Sequence, residues 1–379
     1  TSAVFVAPGS PRRHWRLAMT FRNCSTGGGK PLYGFLALCI FALTPGCGPS
    51  AQKLPALGAD LSQTSVSGLS SGGYMAGQFH VAHSATVIGA AIFAAGPYGC
   101  AESAAAEAFP YFPAATAYNA AQAQNGCMAD RLSAVGVLSP GRLVKLATSF
   151  ARDGKIDPLP GLKRAKVYLY TGADDRTVAK AVVEAARNFY LAAGLSPENV
   201  SFVFRNPGGH AFLTADEGNA CASSASPYID DCRYDQAEAI LRLFYGALAP
   251  KASARAENFI TFAQGDYASS NATLASDGVV YVPSACRSEG HCRVHIVFHG
   301  CDQSRAQVGD AVIRETGFAD WAETNKIIVL FPQAAASALN PLTCWDWWGY
   351  TGLDFLTRNA PQIEAVESML TRLSERPAP

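Results

Sequence analysis

The sequence predicts an α/β fold with a mostly parallel central sheet and helices on both faces. After residue 52, short apolar runs alternate with helical stretches, which is typical of parallel strands joined by helical crossovers. Several runs end in glycine-containing segments that carry a serine, an aspartate or a histidine, as expected at the carboxyl ends of parallel strands. Hydrophobic residues make up 49% of the chain, which is enough for a substantial core.

The individual elements follow from these runs in chain order. The first half is predicted to contain strands at 61–67, 86–94, 166–170 and 200–204 and helices at 74–81, 178–193 and 234–245. The second half is predicted to contain strands at 258–262, 278–283, 293–298 and 326–331 and a last helix at 362–373. Between the halves, the alanine-rich run 249–256 contains a proline and basic residues and is typical of a connector.

Residues 1–51 are predicted to be an upstream segment and a secretory signal. Basic residues precede an apolar run at 33–43, and small residues follow it. The run is too short for a transmembrane helix, which needs about 20 apolar residues. Gly46-Cys47 also resembles a bacterial lipoprotein cleavage site, although Thr44-Pro45 fits that pattern poorly. The protein is therefore expected outside the cell or in the periplasm, and on a membrane only if Cys47 is lipidated.

Charge argues against one class of partner, and cysteine content predicts disulfides. Lys+Arg 30 against Asp+Glu 30 gives no net charge, which argues against a nucleic-acid partner. Eight cysteines follow the signal region, and an even set in an exported protein predicts disulfides. The close pairs Cys221–Cys232 and Cys286–Cys292 are preferred, which leaves Cys100–Cys127 and Cys301–Cys344 as longer bridges. No Cys-x-x-Cys with zinc-finger spacing occurs, so no metal site is predicted.

The segment Gly68-Leu69-Ser70-Ser71-Gly72 has the Gly-x-Ser-x-Gly pattern of a nucleophile elbow. In this motif a serine lies on a strained turn between a strand and a helix, and small residues on both sides avoid a clash. A predicted strand precedes the segment and a predicted helix follows it. Ser70 is therefore the predicted nucleophile.

A serine nucleophile needs a base that is itself oriented by an acid. In α/β-hydrolases the chain order is Ser, Asp, His, each at the carboxyl end of a strand, and Asp175 and His210 obey that order. Asp175 is preferred to Asp174 because a valine three residues later matches the usual acid turn, although an N-cap role fits either aspartate. The remaining histidines of this part of the chain are weaker base candidates: His80, His83, His291, His295 and His299.

An oxyanion hole needs the N–H of Ser71 and a second N–H from a loop that begins His-Gly after another strand. His299-Gly300-Cys301 fits this loop, with Cys301 as the donor, but it follows the histidine instead of preceding the nucleophile. Circular permutation explains this order, because reading 258–373 before 54–246 restores the ordinary strand order of an α/β-hydrolase. The sequence therefore predicts one circularly permuted catalytic domain over residues 52–379, with its junction near 249–256.

Together with Cys344-Trp345-Asp346-Trp347-Trp348, these motifs resemble the extracellular poly(3-hydroxybutyrate) depolymerase family, in its single-domain circularly permuted type. The resemblance covers residues 52–373. It implies that Ser70, Asp175 and His210 form the triad and that the N–H groups of Ser71 and Cys301 form the oxyanion hole. It further implies a polyester substrate, an acyl-enzyme intermediate and no cofactor or metal.

The aromatic residues near Cys344 are candidates for substrate binding. Trp345, Trp347, Trp348 and Tyr350 follow the strand next to the oxyanion loop, on the expected active-site side. Indole rings there would line an apolar groove for a methyl-bearing polyester. Core packing is the alternative, and at least one of Trp345 and Trp347 is expected in the core.

Two other functions fit parts of this pattern. A feruloyl or acetylxylan esterase would use the same chemistry on a different ester. A non-enzymatic surface lipoprotein would bind apolar ligands through the tryptophans, but it would have no need of a complete Ser70, Asp175 and His210 set.

Overall fold

The apolar runs of the sequence form β-strands in the computed structural model, which describes residues 52–130, 139–288 and 290–377. The expected signal and the cysteines in it lie outside the described residues. The strands of the described part are, in chain order, β1 (Thr64–Leu69), β2 (Val87–Phe93), β3 (Lys166–Gly172), β4 (Val200–Arg205), β5 (Phe212–Thr214), β6 (Asn219–Ala220), β7 (Ile229–Asp231), β8 (Phe259–Ala263), β9 (Asp277–Tyr281), β10 (Arg293–Phe298) and β11 (Ile327–Phe331).

Eight of these strands form one sheet in the order β4-β3-β2-β1-β10-β11-β9-β8. The first six in that order run parallel to one another, and β9 is antiparallel to both of its neighbours. Strands β5, β7 and β6 form a second, small sheet. The prediction of a mostly parallel sheet is confirmed, with β9 as the reversed strand.

The described part of the chain also contains ten α-helices. They are α1 (Ser71–Ala82), α2 (Ala104–Ala108), α3 (Ala114–Asn125), α4 (Pro140–Arg152), α5 (Lys180–Ala192), α6 (Gln236–Tyr245), α7 (Arg305–Val308), α8 (Ala311–Arg314), α9 (Phe318–Asn325) and α10 (Pro361–Ser374). None of the helices within these residues is long and apolar enough to cross a membrane.

Strand β2 shows that helices cover both faces of the sheet. Gly89 and Ile92 are three residues apart, so their side-chain directions point to opposite faces. A Cβ at Gly89 would lie 2.4 Å from the ring of Phe244 in α6, whereas Ile92 lies against Gly77 in α1. Because both faces are covered, the central strands are buried along almost their whole length.

Local sequence fixes where several elements begin and end. The side chain of Asp235 accepts the Glu238 N–H at 2.9 Å to start α6, and Gly246 ends it at φ 82°. At the predicted strand 61–67, the Asp60 side chain accepts the Ser62 N–H at 3.0 Å and starts a short 3-10 turn. That turn delays the strand, so β1 begins at Thr64.

The two ends of the described chain lie side by side. The N–H groups of Leu57 and Ala59 donate to the Leu373 carbonyl at 3.1 and 3.0 Å, and the Gly58 N–H donates to Glu375 at 2.7 Å. If the chain is read from Phe259 as its start, the strands of the sheet follow the order 1-2-4-3-5-6-7-8. In that reading the His-Gly loop follows the third strand, as in α/β-hydrolases, so the permuted order predicted from the sequence is confirmed.

Candidate active site

Ser70 lies on the sharp turn between β1 and α1, with φ 56° and ψ −121°. Two glycines make this turn possible. A Cβ at Gly68 would lie 2.2 Å from the carbonyl oxygen of Gly72, and a Cβ at Gly72 would lie 2.3 Å from that of Phe298. The strained turn is held by the Ser70 N–H, which donates to the Phe93 carbonyl at 2.9 Å.

Asp175 and His210 come together from the ends of β3 and β4. His210 Nδ1 lies 2.9 Å from Asp175 Oδ2, and both side chains are buried. Asp175 Oδ1 accepts the N–H groups of Thr177 and Val178 at 2.8 and 2.9 Å, which holds the carboxylate still. Since a carboxylate only accepts, Nδ1 carries the proton and Nε2 is left as the acceptor.

The neighbouring Asp174 has a different partner. Its Oδ2 accepts the Gly208 N–H at 3.1 Å, and its own N–H donates to the Gly208 carbonyl at 2.8 Å. Of the two aspartates that the sequence offered as the acid, Asp175 is therefore the one in contact with His210.

Ser70 and His210 line one cavity of about 200 Å³ at the carboxyl ends of the parallel strands. Gly300 and Cys301 line the same cavity, so the predicted oxyanion loop lies beside Ser70 despite its distance in sequence. Several further lining residues were not predicted: Leu69, Met128, Thr177, Tyr228, Asp302, Gln303 and Leu342. Leu69 is the last residue of β1 and belongs to the elbow motif, whereas the others come from loops that follow different strands.

A larger cavity of about 840 Å³ contains none of these groups. It is lined by residues that precede β1 and β10, including Leu57 and His291, and so lies at the amino ends of the strands. Catalytic groups in this type of sheet lie at the carboxyl ends, so the smaller cavity is the candidate active site.

Contacts of His299 and Gly300 hold the loop after β10. His299 is buried, its Nε2 accepts the Ala334 N–H at 3.1 Å and its Nδ1 lies 2.7 Å from the Gly300 carbonyl. Burial lowers the pKa of His299 to about 4, which keeps the ring neutral in this role. The Gly300 N–H donates to Gln303 Oε1 at 2.7 Å. The next N–H along the loop belongs to Cys301, while Ser71 is the first residue of α1, whose first N–H groups have no partner within the helix.

Four disulfides link the eight described cysteines. Cys100–Cys127, Cys221–Cys232, Cys286–Cys292 and Cys301–Cys344 are bonded, the same pairs that the spacing favoured. Cys301–Cys344 ties the oxyanion loop to the tryptophan segment, with the two Cα atoms 4.2 Å apart. The strands before these loops, β10 and β11, are direct neighbours in the sheet.

Three of the four residues predicted to contact substrate in the tryptophan segment are buried. Trp345 is fully buried, with its ring 4.9 Å from that of Phe298 in an edge-to-face contact. The Tyr350 hydroxyl is also internal and donates to the Cys344 carbonyl at 2.7 Å. Trp347 is 6% exposed and stacks on Tyr74 with ring centroids 3.9 Å apart. These three residues pack in the core, and Trp348 alone of the four predicted substrate contacts is partly exposed.

Asp346, for which no role was predicted, organises this segment. Its carboxylate accepts the N–H groups of Gly349, Tyr350 and Thr351 at 2.7, 3.0 and 2.9 Å. Burial raises the pKa of Asp346, and hydrogen bonds from Thr351, Tyr350 and Gly349 oppose that rise. An acidic residue between two tryptophans was the only sequence signal for this buried turn.

Two of the other histidines, His80 and His295, are fully buried. His295 lies between Ser65 Oγ at 2.7 Å and Ser67 Oγ at 2.9 Å, and all three side chains are fully buried. Burial lowers the pKa of His295 to about 3 and that of His80 to about 3. The Ser–His contacts on β1 and β10 therefore stabilise the core of the sheet and have no access to a substrate.

No protein-family model matches the chain. A poly(3-hydroxybutyrate) depolymerase of Delftia acidovorans is 39% identical over 330 residues, which are 86% of this chain and 62% of that protein. The chain therefore spans less than two thirds of that relative. A polyhydroxybutyrate depolymerase of Talaromyces funiculosus is 34% identical over 340 residues, 84% of this chain and 90% of that protein.

Solved structures that are similar to this chain are also of PHB depolymerases. A serine-to-alanine variant of a PHB depolymerase complexed with an R3HB trimer has a TM-score of 0.73 and 31% identity, covering 85% of this chain and 99% of that one. The crystal structure of PHB depolymerase from Penicillium funiculosum has the same TM-score and coverage at 32% identity.

Proposed function

The chain belongs to the poly(3-hydroxybutyrate) depolymerase family, and on that premise we propose that it hydrolyses poly(3-hydroxybutyrate)-type polyester to oligomers and monomers. The observation that carries this proposal is the pairing of His210 with Asp175 at 2.9 Å beside the cavity that Ser70 and Cys301 also line. These are a nucleophile, an oriented base and an oxyanion donor at one point.

The proposed mechanism assigns a step to each group. Ser70 Oγ attacks the ester carbonyl while His210 Nε2 takes its proton, and Asp175 stabilises the imidazolium. The N–H groups of Ser71 and Cys301 donate to the tetrahedral oxyanion. His210 then returns the proton to the departing hydroxyl end of the polyester, and water activated by His210 hydrolyses the acyl-enzyme.

Exposed aromatic side chains support an apolar, insoluble substrate. Phe109, Tyr111, Phe112 and Tyr118, around the turn between α2 and α3, are 44 to 72% exposed. Helix α3 contacts the tryptophan segment, because Thr116 Oγ1 donates to the Gly349 carbonyl at 2.8 Å, and it is followed by Met128 of the catalytic cavity. An apolar surface of this kind near a cleft is suited to a polyester with repeating methyl groups.

We further propose one catalytic domain over residues 52–379, with the permutation junction near 249–256. The described residues belong to one compact unit, which supports this assignment. The four disulfides support an oxidising location, outside the cell or in the periplasm. The balanced charge argues against nucleic acid as a partner.

Hydrolysis of emulsified poly(3-hydroxybutyrate) by wild type and Ser70→Ala tests the proposal. We expect wild type to clear the emulsion and release 3-hydroxybutyrate species detected by mass spectrometry. The alanine variant should lose at least about a thousandfold in rate, because the nucleophile is gone.

Ser71→Ala is the matched control, since only its backbone N–H is assigned a role. If Ser70→Ala hydrolyses the polyester and Ser71→Ala does not, the nucleophile is Ser71 and the assignment of Ser70 is wrong. A wild-type protein that leaves the polyester intact and cleaves a feruloyl or acetylxylan ester would replace the proposed substrate.

A further inference from the structure

Gln303 joins two loops that border the candidate active site. Its side chain is buried and its amide makes contacts in two directions. On one side, Oε1 accepts the Gly300 N–H at 2.7 Å. On the other, Nε2 donates to the Pro227 carbonyl at 2.7 Å and to the Tyr228 carbonyl at 3.2 Å.

These partners fix the orientation of the amide. The Gly300 N–H can only donate and the two carbonyls can only accept, so the oxygen must face Gly300 and the nitrogen must face residues 227 and 228. There is no room for a side chain between Gly300 and Gln303, because a Cβ on Gly300 would lie 2.7 Å from Oε1. The Gly300 N–H is thereby occupied, and the oxyanion role is left to the following N–H of Cys301.

The carbonyls that accept from Gln303 Nε2 belong to a turn that is connected to the His210 loop. The Tyr228 carbonyl also accepts the Phe212 N–H at 2.9 Å, and Phe212 is the second residue after His210. Tyr228 itself lines the catalytic cavity together with Gln303 and His210. A displacement of the turn at 227–228 would therefore also move the start of β5, next to His210.

Other contacts hold the oxyanion loop from the opposite direction. The disulfide joins Cys301 to Cys344, and the Asp302 N–H donates to the Leu342 carbonyl at 2.8 Å. Both contacts lead to the tryptophan segment and neither reaches the turn at 227–228. The loop is thus held on one side by the disulfide and on the other by the Gln303 amide.

We propose that Gln303 is a positioning residue that sets the separation between the Cys301 oxyanion donor and the His210 base. This inference rests on the proposed hydrolytic function. Both groups must be in place in the same transition state, and an oxyanion donor contributes only when it is correctly aimed. Gln303 touches neither reacting atom and acts through the backbone of the two loops.

The substitution Gln303→Glu separates positioning from general stability. Glutamate keeps the shape and the acceptor for Gly300, but an ionised carboxylate cannot donate to Pro227 and Tyr228 and faces their carbonyls with a charge. At pH 8 we expect kcat on a soluble 3-hydroxybutyrate trimer to fall about tenfold to a hundredfold, with less than about a threefold change in KM.

The ratio of variant to wild-type kcat should recover as the pH is lowered from 8 to 5. Burial among carbonyls raises the pKa of a glutamic acid, and the protonated acid regains a donor. A merely structural loss would not follow this titration. Gln307→Glu, an exposed position on the same segment, is the matched control and should show a constant ratio.

If Gln303→Glu unfolds at pH 8 by circular dichroism, Gln303→Met takes its place. Methionine lacks both the donor and the acceptor, so kcat should be low at every pH without recovery. Wild-type kcat in the folded Glu or Met variant overturns the inference, as does a kcat ratio for Gln303→Glu that stays flat with pH. A wild-type protein that hydrolyses neither the trimer nor another ester overturns the proposed function instead.

Discussion

At the scale of single residues, neighbouring side chains of the same type have different roles because they have different partners. Asp175 orients the ring of His210. Asp174 instead accepts the Gly208 N–H and so fixes the backbone of the loop that carries His210. Ser70 lies at the cavity, whereas Ser65 and Ser67 are buried around His295. Residue type alone does not distinguish these cases; position relative to the strand end does.

Asp230 provides a prediction about pH. It is fully buried in β7, and this burial raises its pKa from 3.8 to about 7, with the Asn219 side chain in part opposing the rise. The folded state therefore binds the proton more tightly than the unfolded state, so stability falls as the pH rises from about 4 to about 7. We expect Asp230→Asn to be more stable than wild type at pH 8, by up to about 4 kcal/mol, and similar to it at pH 4.

Urea unfolding at the two pH values measures this difference. Asp231→Asn, at the next and partly exposed position of β7, is the control and should show no such pH-dependent gain. An Asp230→Asn variant that gains as much stability at pH 4 as at pH 8 would contradict the assignment.

At the scale of elements, the candidate site is assembled from loops at the carboxyl ends of four strands. β1 leads to Ser70, β3 to Asp175, β4 to His210 and β10 to Cys301. The strands determine where each loop starts, but crosslinks between loops determine where the functional group on each loop lies. The disulfide between Cys301 and Cys344 is such a crosslink.

Removing this disulfide should impair turnover more than substrate binding. In Cys301→Ala/Cys344→Ala, alanine keeps the backbone N–H at position 301 but the loop loses its tie. We expect kcat to fall about tenfold or more with a smaller change in KM, because a misplaced donor weakens transition-state stabilisation. Cutting a crosslink across 43 residues should also destabilise the fold by about 4 kcal/mol on the chain-entropy account.

The control is Cys286→Ala/Cys292→Ala, which removes a bridge near the amino end of β10. It spans a separation of 6 residues and should leave kcat unchanged. Steady-state kinetics on the soluble trimer compare the two double variants. Equal kcat values would mean that the oxyanion loop is held without its disulfide.

At the scale of the whole molecule, the same arrangement of strands in space is compatible with more than one order of segments along the chain. The ends of the described chain are joined by backbone hydrogen bonds between 57–59 and 373–375, and the helix α6 and strand β8 are joined by the connector around 249–256. The sheet therefore has two places where a chain break would leave every strand intact.

Reversing the permutation should preserve the protein. We expect a chain that begins at Ala252, joins residue 377 to residue 54 through a flexible linker of about ten residues, and ends at Lys251 to fold and to hydrolyse the soluble trimer at close to the wild-type rate. Circular dichroism and steady-state kinetics measure the outcome. The same linker with a break inside β2, between Ala90 and Ala91, is the control and should not fold. Failure of the first chain to fold would mean that the 249–256 connector is required.

Much of this protein follows from its sequence because the signals are local. Continuous apolar runs predict the parallel strands, and β10 is found at the predicted residues 293–298. The elbow, the acid turn and the His-Gly loop each lie within a few residues, so the candidate residues at the carboxyl edge could be named without a structure. Their order along the chain was enough to predict the permutation.

Tertiary structure alone decided the contacts between distant segments. Nothing around Trp345 distinguishes it from the more exposed Trp348, and only packing against Phe298 places it in the core. The bridge from Gln303 to Pro227 joins residues 76 positions apart, and its partners are backbone carbonyls, which every residue type possesses. Burial and long-range hydrogen bonds depend on how whole elements pack, whereas local pattern determines only which elements form.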